Sequence, residues 1–143
     1  MARIRVIEDD RDQRELRGIL LEMQGHEVVK TDGEAELVLM DLRIPTLEAG
    51  LKKIRVIKNS STSPKLIVLS GAVSELRGTE EEKMVDAILE KPCPSGKLLK
   101  TIQMLLLMLV VLLRLGSRRI ASGMRRFCTS GRIRWGPRVM CRC

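Results

Sequence analysis

Leu37-Val38-Leu39-Met40-Asp41-Leu42-Arg43-Ile44-Pro45 carries four consecutive apolar residues into a single carboxylate, and soon after into a proline. A wholly apolar run of this length reads as a strand buried on both faces, the habit of parallel sheets covered by helices. In open sheets of that kind, ligands bind beyond the carboxyl ends of the strands. Asp41 stands at such an end, so what matters next is which other side chains the chain delivers there.

Working outward, Ile4-Arg5-Val6-Ile7 alternates and then turns apolar before the acidic cluster Glu8, Asp9, Asp10 and Asp12. Asp10, with Gln13 three residues on, predicts a helix N-cap. Leu16, Ile19, Leu20 and Met23 predict the buried face of that helix, and Gly25 its end. Residues 26–31 read as a second strand. Leu51, Ile54 and Ile57 predict a helix closing near Lys58, followed by a polar loop over 59–64. Leu66-Ile67-Val68-Leu69 is a further apolar strand, ending at Ser70-Gly71. A polar helix is predicted from Glu75 to Met84, a short strand at Ala87-Ile88-Leu89 before Lys91-Pro92, and a last helix from near Ser95 through Leu98, Leu99 and Ile102. This alternation predicts an α/β three-layer sandwich with a mostly parallel five-stranded sheet.

That topology would bring Glu8, Asp9, Asp41, Ser70 and Lys91 to one edge. Three clustered carboxylates repel unless a cation joins them, and Mg²⁺ accepts carboxylate and water oxygens readily. Lys91 could pair with Asp41 and later with phosphoryl oxygens. Taken singly, each residue has a duller reading as a helix cap, a turn or a solvated lysine.

Taken together, Val6-Ile7-Glu8-Asp9-Asp10, the stretch from Leu37 to Pro45, Ile67-Val68-Leu69-Ser70-Gly71 and Leu89-Glu90-Lys91-Pro92 resemble the four signature segments of bacterial response regulator receiver domains, in the family's order. The resemblance covers roughly three quarters of the chain and implies a flavodoxin-like receiver fold. It implies that Asp41 is the phosphoacceptor and that Glu8, Asp9, Asp41 and the backbone carbonyl of Arg43 hold Mg²⁺. Ser70 would be the switch hydroxyl and Lys91 the conserved lysine. The implied role is phosphoacceptor in a two-component phosphorelay, taking a phosphoryl group from a histidine kinase or phosphotransfer protein. Such a domain is not an enzyme in the ordinary sense, although it assists its own phosphorylation and dephosphorylation. The expected location is cytoplasmic, with no signal peptide, because charged Arg3, Arg5 and Glu8 follow Met1 closely.

The chain departs from the family in places. Only Asp32 to Glu36 lie between Thr31 and Leu37, so the family's second helix is missing. Parallel strands need a crossover of about a dozen residues. The usual placement of the second strand is therefore not expected, and Asp32-Gly33 suggests a hairpin instead. Losing the helix is expected to leave apolar area of the first and third strands open to water and to make the domain marginal, with residues 26–36 least protected. Ile88 stands where the family usually has an aromatic, and Ala49 where it has glycine, with Gly50 one step late.

The expected division is a receiver domain over 1–106 and a tail over 107–143. Up to Gln103 there are 17 Lys and Arg against 18 acids; from Met104 there are nine Arg, no Lys and no acid. The net charge of +8 therefore belongs to the tail. Met104 to Leu113 is an apolar run, read as an over-long last helix with one face on the sheet and the other sticky, and not as a membrane span. The tail is read as no folded domain and as an aberrant C-terminus. Cys93, Cys128, Cys141 and Cys143 are read as free thiols. Two other functions stay open: a degenerate, non-phosphorylated protein-interaction module, and a nucleic-acid binder acting through the Arg-rich tail.

Overall fold

The sheet of the computed structural model has five parallel strands in the order β2-β1-β3-β4-β5. The structure describes residues 1–121; readings that concern the remainder of the tail, Cys128, Cys141 and Cys143 among them, lie outside the described residues. Met1–Val110 forms one unit and Val111–Cys143 a second.

The strands are β1 Arg3–Ile7, β2 Glu27–Val28, β3 Leu37–Met40, β4 Lys65–Ser70 and β5 Ala87–Glu90. The helices are α1 Arg11–Met23, α2 Leu47–Lys58, α3 Val73–Leu76 and α4 Ser95–Ala121. β3 is buried at all four positions, as an apolar strand between covered faces must be. Leu21 of α1 and Leu98, Ile102 and Leu105 of α4 pack on one face of the sheet, with Ile4, Val6, Leu37 and Leu39. Ile54 and Ile57 of α2 and Leu76 of α3 pack on the other, with Val38, Met40, Leu66 and Val68. The polar helix predicted over 75–84 is instead α3 followed by a separate 3-10 turn at Glu81–Met84.

The second strand corrects the expectation of a hairpin. β2 shrinks to two residues and pairs parallel to β1, the placement not expected without the second helix. Val28 and Leu37 both register with Ile4, one on each side of it. The link therefore crosses two strand spacings, roughly 10 Å, with no climb along the sheet. Shortening β2 leaves residues 29–36 for the crossing, and eight residues can reach up to ~27 Å. A 3-10 turn at Asp32–Glu34 forms its apex. Glu36 staples its end: its N–H donates to the Arg3 carbonyl at 2.8 Å, its carbonyl accepts from Lys65 N–H at 3.0 Å, and its carboxylate accepts from Arg3 N–H at 2.9 Å.

Nor is apolar strand area left bare. Val29 and Ala35 of the link are buried beside Val38 and Met40. Alternation along β1 turns Arg3 and Arg5 toward the face the absent helix would have covered, while Ile4 and Val6 face the other core. The least covered part of that face thus carries guanidinium groups, which tolerate water.

One helix face also differs from expectation. Leu16, Ile19 and Met23 are exposed, at 68%, 51% and 76%, and Leu21 is the residue α1 buries. The inward stripe runs Arg17, Leu20, Leu21, with exposed Gln13 one turn before it, so polar side chains of α1 reach the sheet's edge near Glu8. In α4 the dual reading holds: Leu98, Ile102 and Leu105 are buried, whereas Met104, Leu107 and Met108 are exposed. Ser95–Arg114 is long and apolar enough to cross a membrane by length and composition, although its inner residues serve the domain core.

Candidate functional site

Four strand ends converge at the carboxyl edge of the sheet. The Asp41 N–H donates to the Ile7 carbonyl at 3.0 Å, and the Lys91 N–H to the Ser70 carbonyl at 3.0 Å, which levels the ends of β1, β3, β4 and β5. At the end of β4 lies Ser70, and immediately beyond the other three ends lie Glu8, Asp41 and Lys91. Arg11 begins α1 directly after Asp10, whose carboxylate caps the helix by accepting from Asp12 and Gln13 N–H at 2.9 and 3.1 Å, while the Gln13 side chain donates back to it at 3.2 Å. The predicted cap is therefore present. It fixes the turn that presents Glu8.

Lys91 is the hub. Its Nζ donates to Asp41 Oδ2 at 2.6 Å, to Glu8 Oε2 at 3.0 Å and to the Gln13 amide oxygen at 3.4 Å. The Glu8 side chain is almost wholly buried, at 4% exposure. A carboxylate so placed requires paired charge. Arg17 supplies a second cation on the same Glu8 oxygen, and donates to the Gln13 amide oxygen at 2.9 Å. Arg14 donates to the Glu8 carbonyl at 2.6 Å.

Glu8 therefore has two basic partners, one of them, from α1, not anticipated from the sequence. The signal was available: Arg17 shares the inward stripe of α1 with Leu20 and Leu21, so its guanidinium had to end against the sheet edge. The more regular apolar stripe, Leu16, Ile19 and Met23, lies on the opposite, exposed face.

Burial pushes the Asp41 carboxyl up, but hydrogen bonds from Lys91 and Ser70 and the charge of Lys91 outweigh it, so the group ends below its usual value. These contacts favour the carboxylate form of Asp41. Ser70 is buried, and its hydroxyl also accepts from the Ala72 N–H at 3.2 Å. The Arg43 N–H approaches Asp41 Oδ1 at 3.4 Å, and its guanidinium pairs with Glu75 of α3. Gly50 lies against the turn after Asp41: a Cβ there would meet the Leu42 carbonyl oxygen at 1.7 Å. The glycine one step late therefore fills a close-packed position that no other residue could take without shifting the Asp41 loop. Ile88, at the position of the missing aromatic, is half-buried against the core beneath α2.

Glu8, Asp41 and the Arg43 backbone are thus brought to one edge, and Asp9 is solvent-exposed beside them. As oxygen donors they suit Mg²⁺ in kind. Among the described residues, however, no three acidic, His or Cys side chains stand gathered as a ready metal cluster. Arg17 and Lys91 neutralise Glu8 instead.

No protein-family model matches the chain. A stretch of 80 residues is 38% identical to the CAI-1 autoinducer sensor kinase/phosphatase CqsS of Vibrio cholerae, covering 48% of this chain and 12% of that protein. The chain thus matches only a small part of that relative's length. Solved structures share its fold throughout their own lengths. A response regulator receiver domain from Clostridium thermocellum aligns with TM-score 0.68 at 23% identity, over 78% of this chain and 99% of the other. Response regulator TrrA of Thermotoga maritima, solved with Mg²⁺-BeF, aligns with TM-score 0.62 at 24% identity, over 73% and 99%. A CheY-like receiver domain from Methylobacillus flagellatus gives 0.60 at 24%, over 73% and 98%.

Proposed function

We propose that residues 1–106, built on the receiver fold, serve as a phosphoacceptor in a two-component phosphorelay, with Asp41 as the acceptor. The observation that carries this reading is Lys91, from the end of β5, bonded at once to Asp41 after β3 and to Glu8 after β1. A lone aspartate at a strand end would need no such partner. A carboxylate bonded to the Lys91 amine and the Ser70 hydroxyl has beside it the donors that a transferred phosphoryl group would need.

In the proposed step an Asp41 oxygen attacks the phosphorus of a phosphohistidine in line, and the partner's imidazole leaves with the electrons of the broken P–N bond. Lys91 moves from the carboxylate to a phosphoryl oxygen. Ser70 donates its hydroxyl to another, and its displacement carries the β4–α3 loop with it, biasing two states of one surface. Glu8, Asp9, Asp41 and the Arg43 carbonyl would hold Mg²⁺, which neutralises charge on the transferring group; the Mg²⁺-BeF complex of the Thermotoga relative supports that choice of ion. The donor partner would be a histidine kinase or phosphotransfer protein, in the cytoplasm.

Intact mass after incubation with Mg²⁺ and acetyl phosphate tests the reading. One phosphoryl adduct is expected on the chain and none on Asp41→Asn. An adduct that survives the substitution refutes Asp41 as acceptor. No adduct under any condition favours a non-phosphorylated interaction module.

A further inference from the structure

Arg17 does something the phosphoacceptor reading does not require. Its side chain is 12% exposed, it comes from the inward stripe of α1, and its guanidinium ends on the same Glu8 oxygen that Lys91 binds. Gln13 ties the two cations together, its amide oxygen accepting from Arg17 at 2.9 Å and from Lys91 at 3.4 Å. Glu8 therefore already has two positive partners. A metal ion at this carboxylate would be a third cation on a buried group that carries one charge.

We propose that Arg17 is an internal counter-ion that competes with Mg²⁺ for Glu8, so that the metal enters only as Arg17 lets go. This rests on the phosphoacceptor reading insofar as that reading puts Mg²⁺ at Glu8. Charge balance favours this competition. Like charges crowded around one buried acid repel, and a guanidinium fixed by the helix carries little entropic cost compared with a free ion. Binding of the metal then includes the cost of moving Arg17 out to solvent, and the affinity is lowered by that amount. Arg17 is a positioning residue in this account, since it acts through Glu8 and touches no reacting atom.

Two measurements test it. The first is thermal melting of wild type and Arg17→Leu with and without Mg²⁺, at equal ionic strength. Arg17→Leu should melt lower without Mg²⁺, because Glu8 has lost a partner, and should recover more on adding Mg²⁺ than wild type does, with Mg²⁺ affinity at least tenfold tighter. An equal Mg²⁺ response in the two proteins overturns the inference and leaves the phosphoacceptor reading intact. The second needs no variant and so holds even if Arg17→Leu fails to fold: the guanidinium Nε–H resonance of Arg17 in wild type, followed through a Mg²⁺ titration. It should shift in step with the amides of residues 8–10. Shifts at those amides with the Arg17 signal unmoved overturn the proposal. If neither protein responds to Mg²⁺, the metal assignment fails and the competition fails with it, while formation of the Asp41 adduct still stands as a separate result.

Discussion

Two charge clusters cap opposite ends of the same sheet, and they are built in opposite senses. At the amino end one acid serves two bases: Asp86 accepts from Lys58 at 2.9 Å and Lys65 at 2.8 Å, and from the Leu66 backbone N–H at 2.9 Å. Those partners come from α2 and β4, so Asp86 clasps the end of α2 to the sheet. At the carboxyl end one base serves two acids, Lys91 being shared between Glu8 and Asp41. The Asp86 cluster has its acceptor oxygens filled from fixed directions and has nowhere to go. Lys91 has alternatives within reach, so its charge can be handed from one group to another. The first arrangement is a fastening and the second is a switchable site, although both consist of carboxylates and amines at similar distances.

Substitutions should separate the two. The largest effect is expected from Asp41→Asn, which should abolish the phosphoryl adduct at a smaller cost in stability than Asp86→Asn, since Lys91 keeps Glu8 as a partner; intact mass and calorimetry on one sample report both. Lys91→Met should retain a slow adduct, formed roughly 10²-fold or more below wild type, since one charge-stabilising donor is lost; the time course of adduct formation measures it. Asp86→Asn should do the reverse of Asp41→Asn. It should cost about 2 kcal/mol in urea unfolding, because two lysines lose their charge partner, with adduct formation retained. Were Asp86→Asn to impair phosphorylation as strongly as Lys91→Met at unchanged stability, the two ends would not be distinct.

The smallest expected effect is on pH dependence. Burial raises the Asp86 carboxyl, but hydrogen bonds from Lys65 and Lys58 and the Leu66 amide outweigh it, and the group ends below its ordinary value of 3.8. Asp41 is lowered likewise. A depressed native carboxyl stabilises the fold above its unfolded value, and that stabilisation is lost as the pH falls through the native value. Stability should therefore decline on acidification below about pH 4, with a shallower acid limb in Asp86→Asn, read by urea midpoints between pH 2 and 6. An unchanged acid limb would show that Asp86 contributes no linkage.

Much of this was legible from residue order alone. Strands that carry their own burial, such as Leu37–Met40 and Leu66–Leu69, name themselves, because four apolar residues in a row satisfy a two-sided strand wherever it is placed. The Asp10–Gln13 cap was equally plain, since its hydrogen bonds are local. The α1 face was misread for the opposite reason: Leu16, Ile19 and Met23 make a regular stripe, yet only the docking of α1 decides which stripe turns inward. The same docking hid the Arg17–Glu8 pair.

Sequence by itself determined which groups could meet. Strand ends define where Glu8, Asp41, Ser70 and Lys91 emerge, and a parallel sheet sends all such ends to one edge. Only the tertiary structure decided how the chain reaches that arrangement without its second helix. The crossing from Val28 to Leu37 depends on both residues registering with Ile4, and register is a property of the assembled sheet, not of the link. Likewise, whether Glu8 faces a metal or a guanidinium depends on the rotation of α1 about its axis. That rotation is set by Leu21 finding the core, a contact between residues far apart in the chain that no local pattern contains.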